Sequence, residues 1–133
     1  MASLKAFLNP IKVENAEVVV SDRFLENGKP VPFIIRPVTQ SENLLLIKKH
    51  TKKDKNGGEH LDRMAYNMEL TASAVVFPEL DNADLQQAYG VLGAAQLLSS
   101  MLYIGEYATL LEEVQKISRL DVDMNEEVEE VKN

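Results

Sequence analysis

Apolar residues recur along this chain mostly at helical spacing, in blocks separated by strong cap and turn signals. Leu4, Phe7, Leu8 and Ile11 follow an i, i+3, i+4, i+7 stripe. Ser3 is a candidate N-cap, and Pro10 limits this helix to about two turns. A helix that short is not stable alone, so the stripe predicts a docking helix.

The period then changes. Glu17-Val18-Val19-Val20-Ser21 and Phe33-Ile34-Ile35-Arg36 are β-branched runs on either side of Glu26-Asn27-Gly28-Lys29-Pro30, and Asn-Gly is the strongest short hairpin signal. The expectation is one antiparallel hairpin with strands near 17–25 and 31–36, ended by Pro37, which cannot donate to a ladder. A lone hairpin is marginal in water, so one face has to pack on helices.

Helical spacing returns at Thr39. Thr39 and Glu42 form a capping box that opens a helix running to about Lys53, and Asp54-Lys55-Asn56-Gly57-Gly58 breaks it into a mobile loop. Leu61, Met64, Ala65, Met68, Ala72, Val75 and Val76 form the next stripe, flanked by Tyr66, Leu70 and Phe77, so this helix reads as central. Pro78 stops it.

The stretch from Phe77 to Tyr107 is the most heavily punctuated. Asp81 reads as an N-cap, with Asp84 suiting the helix dipole and Leu80 and Leu85 spaced as a hydrophobic staple. Gly90 is placed to end that helix in the left-handed conformation. Ala94, Leu97, Leu98 and Met101 build one further stripe; Tyr107, Leu110, Leu111, Val114 and Ile117 build the last. The pattern predicts an α+β, predominantly α-helical fold: an N-terminal β-hairpin packed on a bundle of about five short helices. Residues 1–120 read as one domain.

Charge sets the C-terminal end apart. Of the formal net charge of −7, most lies in residues 121–133, where Asp121, Asp123, Glu126, Glu127, Glu129 and Glu130 face only Lys132. Met124, Val128 and Val131 keep a thin helical spacing there, but the composition predicts an acidic, flexible tail. The body is nearly neutral, which disfavours duplex nucleic acid as a partner. The basic run Lys48, Lys49, Lys52, Lys53 and Lys55 has no interleaved aromatics for base stacking, and reads as a solvated helix end or a contact for an acidic segment.

Composition narrows the chemistry. With no cysteine, disulfides and thiolate metal sites are excluded. No run approaches the ~18 apolar residues of a membrane span. Lys5 and Pro10 interrupt the N-terminus in a way unlike a signal peptide, so a cytoplasmic protein is expected. His50 and His60 are the two histidines; His60 with Glu59 and Asp62 is the best metal trio on offer, and it opens a helix beside a loop. Asp54 to Ala65 fails as a calcium loop, with Glu59 where glycine is required and Ala65 where a bidentate Glu is required. Gly57-Gly58 lacks the strand and Gly-Lys-Ser/Thr of a phosphate loop. No cofactor, small-molecule substrate or catalytic group is expected. Most of the apolar residues after Val76 must be core. Phe77, Leu85, Tyr89, Leu97, Met101, Leu102, Tyr103 and Tyr107 are singled out as candidates for a partner groove or an oligomer face.

Several segments, in order, carry a resemblance. They are Val19-Val20-Ser21-Asp22-Arg23-Phe24, Gly28-Lys29-Pro30-Val31, Ile35-Arg36-Pro37-Val38-Thr39, the long run Phe77 to Val91, Met101-Leu102 and Gly105-Glu106-Tyr107. Together they make the chain, over about residues 4–120, similar to the XkdN-like tail assembly chaperones of long-tailed bacteriophages and PBSX-type prophages. The stretch 52–60 and the tail after Asp121 look peculiar to this chain.

The resemblance implies a non-enzymatic protein of the host cytoplasm, absent from the finished virion. Such a protein binds the long tape measure protein, keeps it soluble and helps recruit tail tube subunits. It also implies that this chain is the short form wherever a frameshifted longer product exists. A structural tail component retained in the virion is the alternative, followed by a small metal-binding protein or enzyme.

Overall fold

The structure, a computed structural model, describes residues 2–120; the expected acidic tail at 121–133 lies outside the described residues. Helix α1 (Lys5–Leu8) leads into β1 (Ala16–Val18), β2 (Leu25–Glu26), β3 (Lys29–Pro30) and β4 (Phe33–Ile35). Then come α2 (Gln40–His50), β5 (Thr51–Lys53), β6 (Glu59–Leu61) and α3 (Arg63–Ala74). Strand β7 (Val75–Phe77) is followed by α4 (Ala83–Ala88), α5 (Ala94–Met101) and α6 (Ile104–Ile117). Helices predominate, as the spacing predicts, while the β-structure differs.

In place of one continuous hairpin, the chain forms two ladders. Ala16 and Val18 pair with Ile35 and Phe33, while a separate two-residue ladder, Leu25–Pro30 and Glu26–Lys29, closes on Asn27-Gly28. Both turn residues have positive φ, 53° and 77°, as a hairpin turn of matching twist requires. The break comes at the polar Ser21-Asp22-Arg23, where the Ser21 hydroxyl accepts from the Arg23 amide at 3.0 Å and bends the strand off the ladder.

A third strand, β7, pairs antiparallel with β4, giving the order β1-β4-β7. This corrects the expectation of a helix through Val76: α3 ends at Ala74. Two β-branched residues in a row, then a phenylalanine held extended by the following proline, favour a strand once a partner edge is available. Likewise, the helix expected to reach Lys53 ends at His50, and the expected loop is a second hairpin. Thr51, Lys52 and Lys53 pair with Leu61, His60 and Glu59, and the Asp54 carboxylate accepts from the amides of Asn56 and Gly58 at 2.9 and 2.8 Å.

The core sits between the β1-β4-β7 sheet and the helices around α3. Ile35, Leu97, Leu98, Leu110 and Val114 are sealed from solvent, together with Thr71, whose hydroxyl donates to the Asn67 carbonyl at 2.7 Å. One cap is corrected. Asn82, not Asp81, caps α4, its side chain accepting from the Leu85 amide at 2.9 Å, and Asp62 caps α3. Leu80 is therefore one position too early for a staple and is a buried core residue instead. Gly90 takes φ +67° just past α4, as its placement predicts.

The N-terminal stripe overturns the expectation of a docked helix. Leu4, Phe7, Leu8 and Ile11 are 73–99% exposed, and α1 has no side-chain cap.

Candidate functional site

The eight residues expected at a partner surface fall into three groups. Leu97 is sealed in the core, with Met101 and Leu102 nearly so. Tyr107 and Leu85 are half-buried, and Phe77, Tyr89 and Tyr103 are exposed. Leu97 is therefore a packing residue in this conformation, unavailable to a partner.

Three of the eight converge on one groove. Phe77 and Leu85 stand on its wall and Met101 reaches it from α5; Phe24, Val31, Pro32, Phe33 and Pro78 complete the lining. No polar side chain lines this cavity of about 190 Å³. Each wall has a local cause. Phe33 closes the end of β4, and Phe24 packs on it with ring centroids 6.0 Å apart. Phe77 closes β7, pairing across to Ile34, before the cis Phe77–Pro78 bond turns the chain toward α4.

Gln86 then fixes the far wall. Its amide group donates to the Leu80 carbonyl at 2.7 Å, and its oxygen accepts from the Gly93 amide at 3.0 Å, so one side chain ties the segment before α4 to the start of α5.

Arg23 stands beside the groove, against its lining residues Phe24 and Met101. Its guanidinium forks onto Glu106, donates to the Met101 carbonyl at 2.9 Å, and lies 4.4 Å from the ring centre of Tyr103 and 5.0 Å from that of Phe24. The hydrogen bonds it donates to Glu106 raise the Arg23 pKa further above its already high value, against the opposing effect of burial and with help from the Glu106 charge. The Arg23 hydrogen bonds hold the Glu106 carboxyl down to about 2, helped by Ser21 and by the Tyr103 amide, which donates at 2.8 Å. Tyr103 thus stands beside the groove through Arg23. Leu102 and Tyr107 line a second, shallower depression with Met68, Ser99 and Ile104.

The largest cavity lies elsewhere. About 560 Å³ in volume, it is lined by Lys49, His50 and Glu69 and by Gly93 to Gln96 at the start of α5. Glu69 pairs there with Lys49 and His50, each at 2.5 Å. None of the eight expected residues lines it, and its Lys49, His50 and Glu69 are matched to each other, so size alone does not make it the site. Among the described residues, no three His, Asp or Glu side chains gather as metal ligands; His60 lies in β6, and Asp62 is committed to the Ala65 amide and Lys52.

The description of the phage XkdN-like tail assembly chaperone proteins matches residues 4–132. The chain belongs to this family. Among relatives, the phage-like element PBSX protein XkdN of Bacillus subtilis is 29% identical, covering 92% of this chain and 87% of that protein. YqbN of the same organism is 30% identical with the same coverage. The crystal structure of YqbN superposes with a TM-score of 0.78 at 26% identity, covering 91% of this chain and 99% of that one. As a member of the XkdN-like family, the chain is a phage tail assembly chaperone, a role without catalysis that implies protein partners in tail assembly. Among the described residues, no helix is long and apolar enough to cross a membrane.

Sequence reasoning missed Arg23, Phe24, Val31, Phe33, Pro78 and Glu106 as site residues. The signal was present in another form. Segments that carry the resemblance to the XkdN-like family, distant from each other in sequence, supply Phe24, Val31, Phe77, Pro78, Leu85 and Met101 to the groove, and Arg23 and Glu106 to the ion pair beside it.

Proposed function

We propose that the groove walled by Phe24, Phe77 and Leu85 binds apolar helical segments of a phage tape measure protein. Held in this way in the host cytoplasm, the tape measure stays soluble until tail tube subunits assemble around it, and the chaperone is left out of the finished virion. The observation that carries this reading is the convergence of the resemblance-bearing segments on one wholly apolar depression beside an Arg-aromatic cluster. Its size suits one or two anchoring side chains of a helix, with Tyr103 and Arg23 as an adaptable rim.

Co-expression with the tape measure protein of the same phage tests it. The wild-type chain should keep the tape measure in the soluble fraction and co-purify with it. Leu85→Asp and Phe77→Asp should lose both effects, while Glu112→Ala on the exposed side of α6 should keep them. A tape measure that remains soluble without this chain, and tails that assemble without it, would end the proposal. Mass spectrometry of purified virions separates it from a structural tail role, for which the chain would be found in the particle.

A further inference from the structure

We infer that, in the free protein, the groove is filled by the N-terminal arm of a second copy, in a dimer that exchanges arms reciprocally. Three observations meet here. The arm presents four large apolar side chains, Leu4, Phe7, Leu8 and Ile11, at 73–99% exposure, an apolar stripe without a polar face to justify it. The groove is apolar throughout, and Phe77 at its mouth is 46% exposed. Charges match as well. Lys5 and Lys12 flank the arm's stripe against Glu14 alone, while exposed Asp22, Glu79, Asp81 and Asp84 neighbour the groove residues Phe24, Pro78 and Leu85.

Sheet direction favours exchange between copies over closure within one. The arm enters the sheet at Ala16, opposite Ile35, while the groove lies at the other end, where Val18 faces Phe33. The arm therefore leaves its own body pointing away from its own groove, and Pro10 stiffens it against doubling back. A specific interface needs about 1,000 Å² of total burial. Four large side chains on one groove come to roughly that, and reciprocal exchange doubles it within a closed two-fold dimer. Such a dimer keeps the groove covered until a partner displaces the arm.

The test uses the full chain, which has no cysteine of its own to interfere. The wild type should sediment as a dimer that dissociates on dilution. Phe7→Asp combined with Leu8→Asp should sediment as a monomer with an unchanged melting temperature, because both side chains are exposed in the folded chain. Phe7→Cys protein mixed with Phe77→Cys protein should give an intermolecular disulfide on oxidation, and Phe7→Cys mixed with Glu112→Cys should not.

A monomeric wild type, a dimer that survives the aspartates, or a Phe7→Cys/Phe77→Cys double variant that closes its disulfide within one molecule would each overturn the inference. None of these readouts involves the tape measure protein, so this inference and the tape measure reading fail separately.

Discussion

Arg23 and Glu106, 83 positions apart, meet in a two-pronged ion pair: Nε donates to Oε2 at 3.0 Å and Nη2 to Oε1 at 2.5 Å. The pair joins the polar bend after β1 to the first turn of α6, beside the groove residues Phe24 and Met101. A planar guanidinium is needed for both prongs and for the stacking on Tyr103. Arg23→Lys should therefore weaken partner capture with only a small fall in melting temperature, as expected for a partly exposed ion pair, which pull-down and calorimetry on one preparation can compare.

Acid should loosen the fold at two ion pairs. Glu106 and Glu42 are both held down from 4.5 to about 2, Glu106 by Arg23 and Glu42 by Arg36. Both carboxyls bind protons more readily unfolded than folded, so their contribution is complete above the ordinary carboxylate range. It is lost as pH falls from about 4.5 toward 2. Urea midpoints should fall across that window in the wild type and fall less steeply in Glu106→Gln. An equal slope in both proteins would show that the Glu106 pair carries none of the acid sensitivity.

The corrected cap of α4 gives a paired comparison. Asn82→Ala removes the acceptor for the Leu85 amide and should cost about 0.5–2 kcal/mol. Asp81→Ala should stay within about 0.5 kcal/mol of wild type, since Asp81 is exposed and caps nothing. The reverse ranking in denaturant melts would restore the sequence-based assignment.

Gly93 is held by backbone conformation and by space. Its φ is +108°, and a Cβ there would stand 2.4 Å from Oε1 of Gln96. Gly93→Ala should cost about 1–3 kcal/mol, a smaller penalty signalling that the Gln96 side chain swings clear and the backbone relaxes.

Core truncation should separate packing from binding. Leu97→Ala should destabilise the chain by about 2–5 kcal/mol, since the side chain is sealed and the cavity cannot collapse fully. At a temperature where the variant is still folded, tape measure capture should persist. Loss of capture by a folded Leu97→Ala protein would place that residue at the contact after all.

Where sequence and fold agree and where they part follows one physical line. Helices such as α5 and α6 were legible because their bonds close within four residues and their stripes of Leu97, Leu98 and Met101, or Leu110 and Val114, record the buried face directly. Asn27-Gly28 and Gly90 were legible because their backbone conformations are local choices. Strand β7 was not, since Val75-Val76-Phe77 fits a helical stripe as well as an extended run. Only the open edge of β4, some 40 residues away in the chain, decides between them. The same holds for the site. Its residue types and family were readable in order along the chain, but one expected contact, Leu97, is core, while Phe24, Phe33 and Phe77 become a groove only when β1, β4 and β7 align. Local bonding and periodicity are written in neighbours, whereas strand partners and groove walls depend on which distant segments share a core.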